Sequence, residues 1–146
     1  MANVFNRGKR ELGETVFSGR DFRMLLLRTG TAYVYDPDDN FIDDVITGGV
    51  LEVSVGGYAR QTLTGVAVTE NDTLDRVEYE ADQATFTSLV AGQTIDAAIV
   101  FIQVTTDADS LLVAYYNLVD TPTNGGNVNI QFDGADPGDF LRILNN

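Results

Sequence analysis

The sequence predicts an all-β protein, an antiparallel β-sandwich or small barrel with one or two short helices near the N-terminus. Three observations carry that expectation. From Val50 onward apolar residues recur with a period of two, the strand pattern, rather than 3.6. Those stretches are rich in β-branched residues, which fit a pleated surface. Clusters of Gly, Asn, Asp and Pro break them at near-regular intervals, as in sandwiches and barrels built from many short strands.

The elements follow in order. Val4 to Gly13 suits a short helix or turn, weakened by Gly8 and Gly13. Phe22-Arg23-Met24-Leu25-Leu26-Leu27-Arg28 reads as a strand, and Thr31 to Tyr35 as its continuation or partner across Thr29-Gly30. Asp36-Pro37-Asp38-Asp39-Asn40 stops both. In Phe41 to Ile46 the apolar residues stand at i, i+1, i+4 and i+5, which predicts one or two helical turns capped by Asp39 or Asn40.

Val50 to Val55 then reads as a strand ending at Gly56-Gly57, and Arg60 to Val68 as the next, with Thr62, Thr64 and Val66 on one face. Val77-Glu78-Tyr79-Glu80-Ala81 alternates apolar and acidic residues, the mark of a strand with one wet face. Ala84 to Leu89 follows. The unbroken apolar run in Ala97 to Val104 predicts a central strand covered on both faces, paired with Ser110 to Val119 across Thr105 to Asp109. Val128 to Phe132 and Phe140 to Leu144 close the chain. The expected core comprises Leu25, Leu27, Val53, Val66, Phe86, Ile99, Phe101, Leu112, Val113, Ile130, Phe132 and Ile143.

The 146 residues suit one domain of ordinary size, and 44% hydrophobic residues with 14 glycines and 3 prolines describe a globular chain. No apolar run is long enough to span a membrane, and Met1-Ala2-Asn3-Val4-Phe5 lacks the apolar core of a signal peptide, so synthesis and assembly in the cytosol are expected. Cysteine and histidine are both absent, which removes disulfides, zinc-thiolate sites and the commonest nucleophiles and general bases. Carboxylate chemistry such as glycoside hydrolysis would use a cleft lined with sugar-binding aromatics, and the chain has no Trp. The expectation is therefore a protein that is not an enzyme and needs no cofactor.

The net charge of −13 is unevenly spread. Arg7, Lys9, Arg10, Arg20, Arg23 and Arg28 outweigh Glu11, Glu14 and Asp21, so residues 1–28 carry +3 and the remainder −16. Such a body repels phosphate backbones, which argues against nucleic acid as a partner. Residues 1–20 then form a basic N-terminal segment suited to an inter-subunit arm, and residues 21–146 the β-domain. Arg7, Lys9, Arg10 and Arg20 are the candidate partner-binding residues, suited to an acidic partner or the acidic body of a neighbouring copy, unless they form only a solvated face.

Two acidic turns invite a metal-binding interpretation. Asp36-Pro37-Asp38-Asp39-Asn40 places oxygens at positions 1, 3 and 5 of a calcium loop, but Phe41 replaces the glycine at position 6 and Thr47 the closing Glu at position 12. Asp133 to Asp139 is explained by its glycines and proline as a loop between the last two strands. No metal is expected at either. Gly48-Gly49 and Gly56-Gly57 precede no helix and read as turns, not phosphate cradles. The six tyrosines sit mostly on strands, where half-buried cross-strand packing is expected; Tyr115 and Tyr116 must point to opposite faces of a regular strand.

In Ala97-Ala98-Ile99-Val100-Phe101-Ile102, Asp109 to Asn117, Asn124-Gly125-Gly126-Asn127-Val128-Asn129-Ile130-Gln131-Phe132-Asp133 and Phe140-Leu141-Arg142-Ile143, together with the opening Asn6-Arg7-Gly8-Lys9 and the strand from Phe22 to Leu27, the chain resembles a family of small virion structural proteins of tailed bacteriophages, of the head-decoration type. The likeness spans most of the chain and rests on packing and turn patterns. It implies a capsid decoration protein on the outer head surface, assembled in the host cytoplasm, often a homotrimer at local three-fold points, that clamps neighbouring subunits of the major capsid protein.

A neck or tail component is the rival within that class. A carbohydrate-binding adhesin on the virion is a third possibility, needing an exposed aromatic cluster around Tyr58 or around Tyr115 and Tyr116. A small hydrolase would need two close carboxylates in a cleft, at least one with its pKa raised by burial.

Overall fold

The structure, a computed structural model, describes residues 13–14, 17–30, 33–46, 51–132 and 139–143, the last of these by their backbone. Among the described residues the named elements follow in the order β1 (Asp21–Arg28), α1 (Ile42–Val45), β2 (Gln61–Thr62), β3 (Ala67–Asn71), β4 (Arg76–Glu80), β5 (Ala84–Phe86), β6 (Thr94–Gln103), β7 (Leu111–Pro122), β8 (Val128–Ile130) and β9 (Asp139–Ile143). All pairing between these strands is antiparallel, and no barrel closes among the described residues. The chain is all-β, as its patterning predicts.

Contacts divide the chain into two compact units, one holding the described residues of Met1–Arg20, Leu63–Gln83 and Gln131–Asn146, the other Asp21–Thr62 and Ala84–Ile130. The larger unit is built on a four-stranded sheet in the order β2-β1-β6-β7, with β5 and β8 paired separately. In β6 every residue from Ala97 to Ile102 is buried, the two-sided cover that its unbroken apolar run requires. On one face Leu25, Leu27, Ala97, Ile99 and Phe101 pack with Ile42, Val45 and Ile46, so the short helix serves as the lid of this half of the core. Tyr33, Leu51, Leu112 and Tyr115 extend the cluster at its margin.

The smaller unit contains the sheet β3-β4-β9. β4 departs from expectation, because Arg76, Val77, Glu78 and Tyr79 are all buried and neither face is wet. Its charges are paired under cover: Arg76 Nε donates to Glu78 Oε1, and Asn71 Nδ2 donates to the same oxygen at 3.1 Å. Tyr79 packs its ring on Phe17, with centroids 4.5 Å apart.

Four further expectations are corrected. Residues 33–36 form no strand, because both edges of β1 are occupied: β6 takes one, while Leu51, Val53 and β2 share the other. Val50 to Val55 is likewise no strand among its described residues; Glu52 makes one bridge to Leu27 before β2 takes over the pairing. Arg60 to Val68 is two strands, β2 and β3. The chain between them turns at Gly65, whose φ of +63° favours glycine and whose missing Cβ leaves room for the Asp82 carboxylate, 2.6 Å from where that carbon would lie. Thr64 holds the same carboxylate by donating its hydroxyl to Oδ2 at 2.8 Å.

The helix is not capped by Asp39 or Asn40. Asp44 reaches back instead, its Oδ2 accepting from the backbone N–H groups of Phe41 and Asn40, each at 2.9 Å. Of the expected core, Leu25, Leu27, Val53, Phe86, Ile99, Phe101, Ile130 and Phe132 are buried. Val66, Leu112 and Val113 are half-buried; for Leu112 and Val113 the cause is that β7 is the outermost strand of its sheet. The side chain of Ile143, the turn from residue 133 to 138 and the helix or turn expected over residues 4–12 lie outside the described residues.

Phe101 stands where the covered strand meets the helix lid. Phe101→Ala is expected to lower stability by roughly 3 to 5 kcal/mol through lost burial and a residual cavity. Val119→Ala, at an exposed position of β7, should stay within about 0.5 kcal/mol. Urea midpoints of the two variants measure both.

Candidate functional site

Two features of the described residues of the larger unit contrast, a closed polar network and an open surface. The network centres on Arg60, just before β2. Its Nε and Nη2 donate to the two oxygens of Glu52 at 2.8 and 2.7 Å, and its Nη1 and Nη2 to those of Asp107 at 2.6 and 2.9 Å. The guanidinium also lies over the Phe101 ring, 5.5 Å from its centroid. Tyr58 donates its hydroxyl to Glu52 at 2.7 Å, accepts from the Leu26 backbone N–H at 3.1 Å and stacks on Phe86.

The electrostatics follow from this geometry. Hydrogen bonds to Glu52 and then Asp107 hold Arg60 still more firmly protonated than usual. Hydrogen bonds from Arg60 pull the Asp107 carboxyl below its ordinary value. Burial, reinforced by the Glu52 charge, pushes the Tyr58 phenol far up. Each of these groups is committed to a partner within the unit, so the network clasps the Glu52 segment and the Asp107 loop to the edge of the sheet.

The open surface lies where β7 begins. Phe41 bridges to Leu111, and the Leu112 N–H donates to the Asn40 carbonyl at 2.9 Å, which ties the acidic loop before α1 to the β7 edge. Apolar side chains remain exposed there: Val34 at 79%, Tyr35 at 58%, Leu111 at 44% and Phe41 at 37%. Tyr35 stacks on Tyr115 with ring centroids 5.6 Å apart, and Tyr33 tilts against the same ring at 5.7 Å. These three rings, with Asp36, Pro37, Asp39 and Leu112 among the other lining residues, line an open cavity of about 190 Å³.

The loop holds its shape through its own carboxylates. Tyr33 donates its hydroxyl to Asp39 Oδ2 at 2.6 Å, the Asp38 N–H donates to Asp36 Oδ1 at 2.9 Å, and Asn40 Nδ2 donates to the Asp38 carbonyl at 2.8 Å. Burial and then the bond to Asp39 push the Tyr33 phenol up to about 12. Among the described residues, no three carboxylates come together as a group that would hold a metal ion. No helix among them is long and apolar enough to cross a membrane.

Of the candidate partner-binding residues, Arg7, Lys9 and Arg10 lie outside the described residues. Arg20 is exposed in the smaller unit, beside a groove it lines with Phe17, Val66 and Val68, and its backbone N–H donates to the Phe17 carbonyl at 3.3 Å. The tyrosines sort differently from expectation. Tyr58 is turned inward and Tyr116 is half-buried, its phenol pushed up by burial, so neither forms an exposed cluster. Tyr115, itself half-buried, groups with the half-buried Tyr33 and the exposed Tyr35. The signal was present in Tyr33-Val34-Tyr35 running directly into an acidic turn, but the strand expected over those residues hid it.

No family model, no curated protein and no solved structure matches this chain.

Removing the centre of the clasp has a predictable cost. Arg60→Leu strands two partly buried carboxylates, and the loss is expected near 3 kcal/mol, the low end for a broken buried pair because Asp107 is partly exposed. Because the folded Asp107 pKa is depressed, its contribution is complete above about pH 4, the unfolded value, and is lost as the pH falls through the lower folded value. Denaturation of wild type and variant across pH 2 to 7 should show the gap narrowing at the acid end.

Proposed function

We propose that this chain is a structural protein of a bacteriophage virion, a capsid decoration protein that binds the outer head surface and clamps neighbouring subunits of the major capsid protein. The observation that carries the reading is the exposed apolar and acidic surface of Val34, Tyr35, Phe41 and Leu111 at the β7 edge. Exposed apolar side chains grouped beside acidic residues along one sheet edge mark protein contact surfaces. The sequence resemblance to small virion proteins supplies the setting. A clamp that binds only the assembled lattice stabilises that lattice by linkage, with no chemistry of its own.

The basic segment at Arg7, Lys9 and Arg10 supplies a second means of attachment, opposite in charge to the body, and self-association into trimers belongs to the same proposal.

One observation favours a second reading, a glycan-binding adhesin on the virion, because the rings of Tyr33, Tyr35 and Tyr115 border an open cavity. The two readings separate by ligand: adhesion requires a neutral sugar in that cavity, whereas decoration requires the capsid lattice.

The experiment adds purified protein to undecorated phage capsids at two salt concentrations and counts bound copies. Saturation at hundreds of copies per particle is expected, and saturation at a dozen or fewer means a neck or tail position. Tyr35→Ser with Leu111→Ser should lower occupancy at both salts, because the lost contact is apolar. Arg7, Lys9 and Arg10 replaced together by Ala should lower it mainly at low salt, where exposed charges are least screened. Equal occupancy for all three proteins would place the attachment surface elsewhere.

A further inference from the structure

The cavity bordered by Tyr33, Tyr35 and Tyr115 has a composition that selects a ligand class. Its walls are three tyrosine rings and the apolar side chains of Pro37, Ile99 and Leu112, and among the described residues its charged lining is Asp36 and Asp39. The loop and helix behind it, residues 36–44, contain five aspartates and no basic residue. Asp36 uses Oδ1 and Asp39 uses Oδ2 in the hydrogen bonds that shape the loop, which leaves the second oxygen of each carboxylate in excess.

A cation held against aromatic faces gains from the ring quadrupole, and adjacent carboxylates add charge attraction. The net negative charge favours a cation over a neutral sugar, whose hydroxyls gain only hydrogen bonds to the carboxylates, and it repels an anion. The volume of about 190 Å³ falls below the roughly 300–1,000 Å³ of pockets that hold drug-sized ligands, so one long side chain matches it better than a large molecule.

We propose that this cavity is a receptor for a cationic side chain, and that its occupant is an arginine or lysine from the N-terminal segment of a second copy of this chain. Charge complementarity carries the choice of occupant. Arg7, Lys9 and Arg10 form the densest basic cluster of a chain whose residues beyond position 28 carry −16. The arrangement is self-complementary: each copy offers a basic segment and an acidic aromatic socket, so copies link head to tail, and such contacts close into rings or trimers when the rotation permits.

The test uses the full chain with Arg7, Lys9 and Arg10 changed to Ala as receptor, so that its own segment cannot compete. The probe is a synthetic peptide of residues 1–12, titrated by calorimetry at about 0.05 and 0.5 M salt, conditions that span weak and strong screening. The wild-type peptide is expected to bind more weakly at the higher salt, and a peptide with the three basic residues changed to Ala should not bind. Tyr35→Ala in the receptor should weaken binding about tenfold, the size of a partly desolvated cation–π contact. Asp36→Asn with Asp39→Asn should weaken it by at least as much, and these substitutions keep the oxygens that hold the loop, so the fold is retained. Full affinity for the Tyr35→Ala receptor would mean nonspecific attraction to an acidic body and would overturn the proposal. Absence of peptide binding would overturn it too, as would occupation of the cavity by a neutral hexose alone. The measurement contains no capsid, so its failure leaves the decoration reading to its own experiment.

Discussion

The arrangement of the larger unit follows from the need to cover β6 on both faces. A strand with apolar side chains at every position from Ala97 to Ile102 leaves no face for water. Its flanks are filled by β1 and β7, and one of its faces by the helix Ile42–Val45. That helix is only four residues long, too short to be stable alone. It exists because Ile42, Val45 and Ile46 bury themselves on the sheet and because Asp44 satisfies the backbone N–H groups that lead into it.

The open surface is a consequence of the same requirement. Seating the helix on the sheet brings the preceding loop to the β7 edge, where Phe41 and Leu111 bridge and where the Tyr33 and Tyr35 rings reach Tyr115. The loop is acidic, so the rings stand among carboxylates. The Arg60 network shows the opposite arrangement: Arg60 between Glu52 and Asp107 closes every donor it uses on a partner in the same unit. One polar cluster therefore serves stability, while the other remains available for contact with something outside.

Strand periodicity made the strongest elements legible. β1, β6 and β7 stand where their apolar runs place them, and β6 is covered on both sides as an unbroken run requires. Expectations failed where pairing partners, rather than local pattern, decide structure. Tyr33 to Tyr35 alternates like a strand but cannot pair with β1, since both edges of β1 are taken. Glu78 and Glu80 read as wet, yet Glu78 is buried because Arg76 and Asn71 reach it from neighbouring positions of the β3–β4 pair. The charge asymmetry of the first 28 residues was plain in the sequence. The aromatic socket was not, because its three rings come from positions 33, 35 and 115, and only the folded sheet brings them together.

The proposed decoration role makes the surface around Tyr35, Phe41 and Leu111 the face this protein presents to its partner. Hydrogen–deuterium exchange of the free protein and of the protein bound to capsids addresses it most directly, because backbone amides covered by a partner exchange more slowly. Residues 33–46 and 104–116 are expected to gain protection on binding, while β3 and β4 exchange as in the free protein. Unchanged exchange in those two segments, with new protection appearing elsewhere on the chain, would contradict the claim.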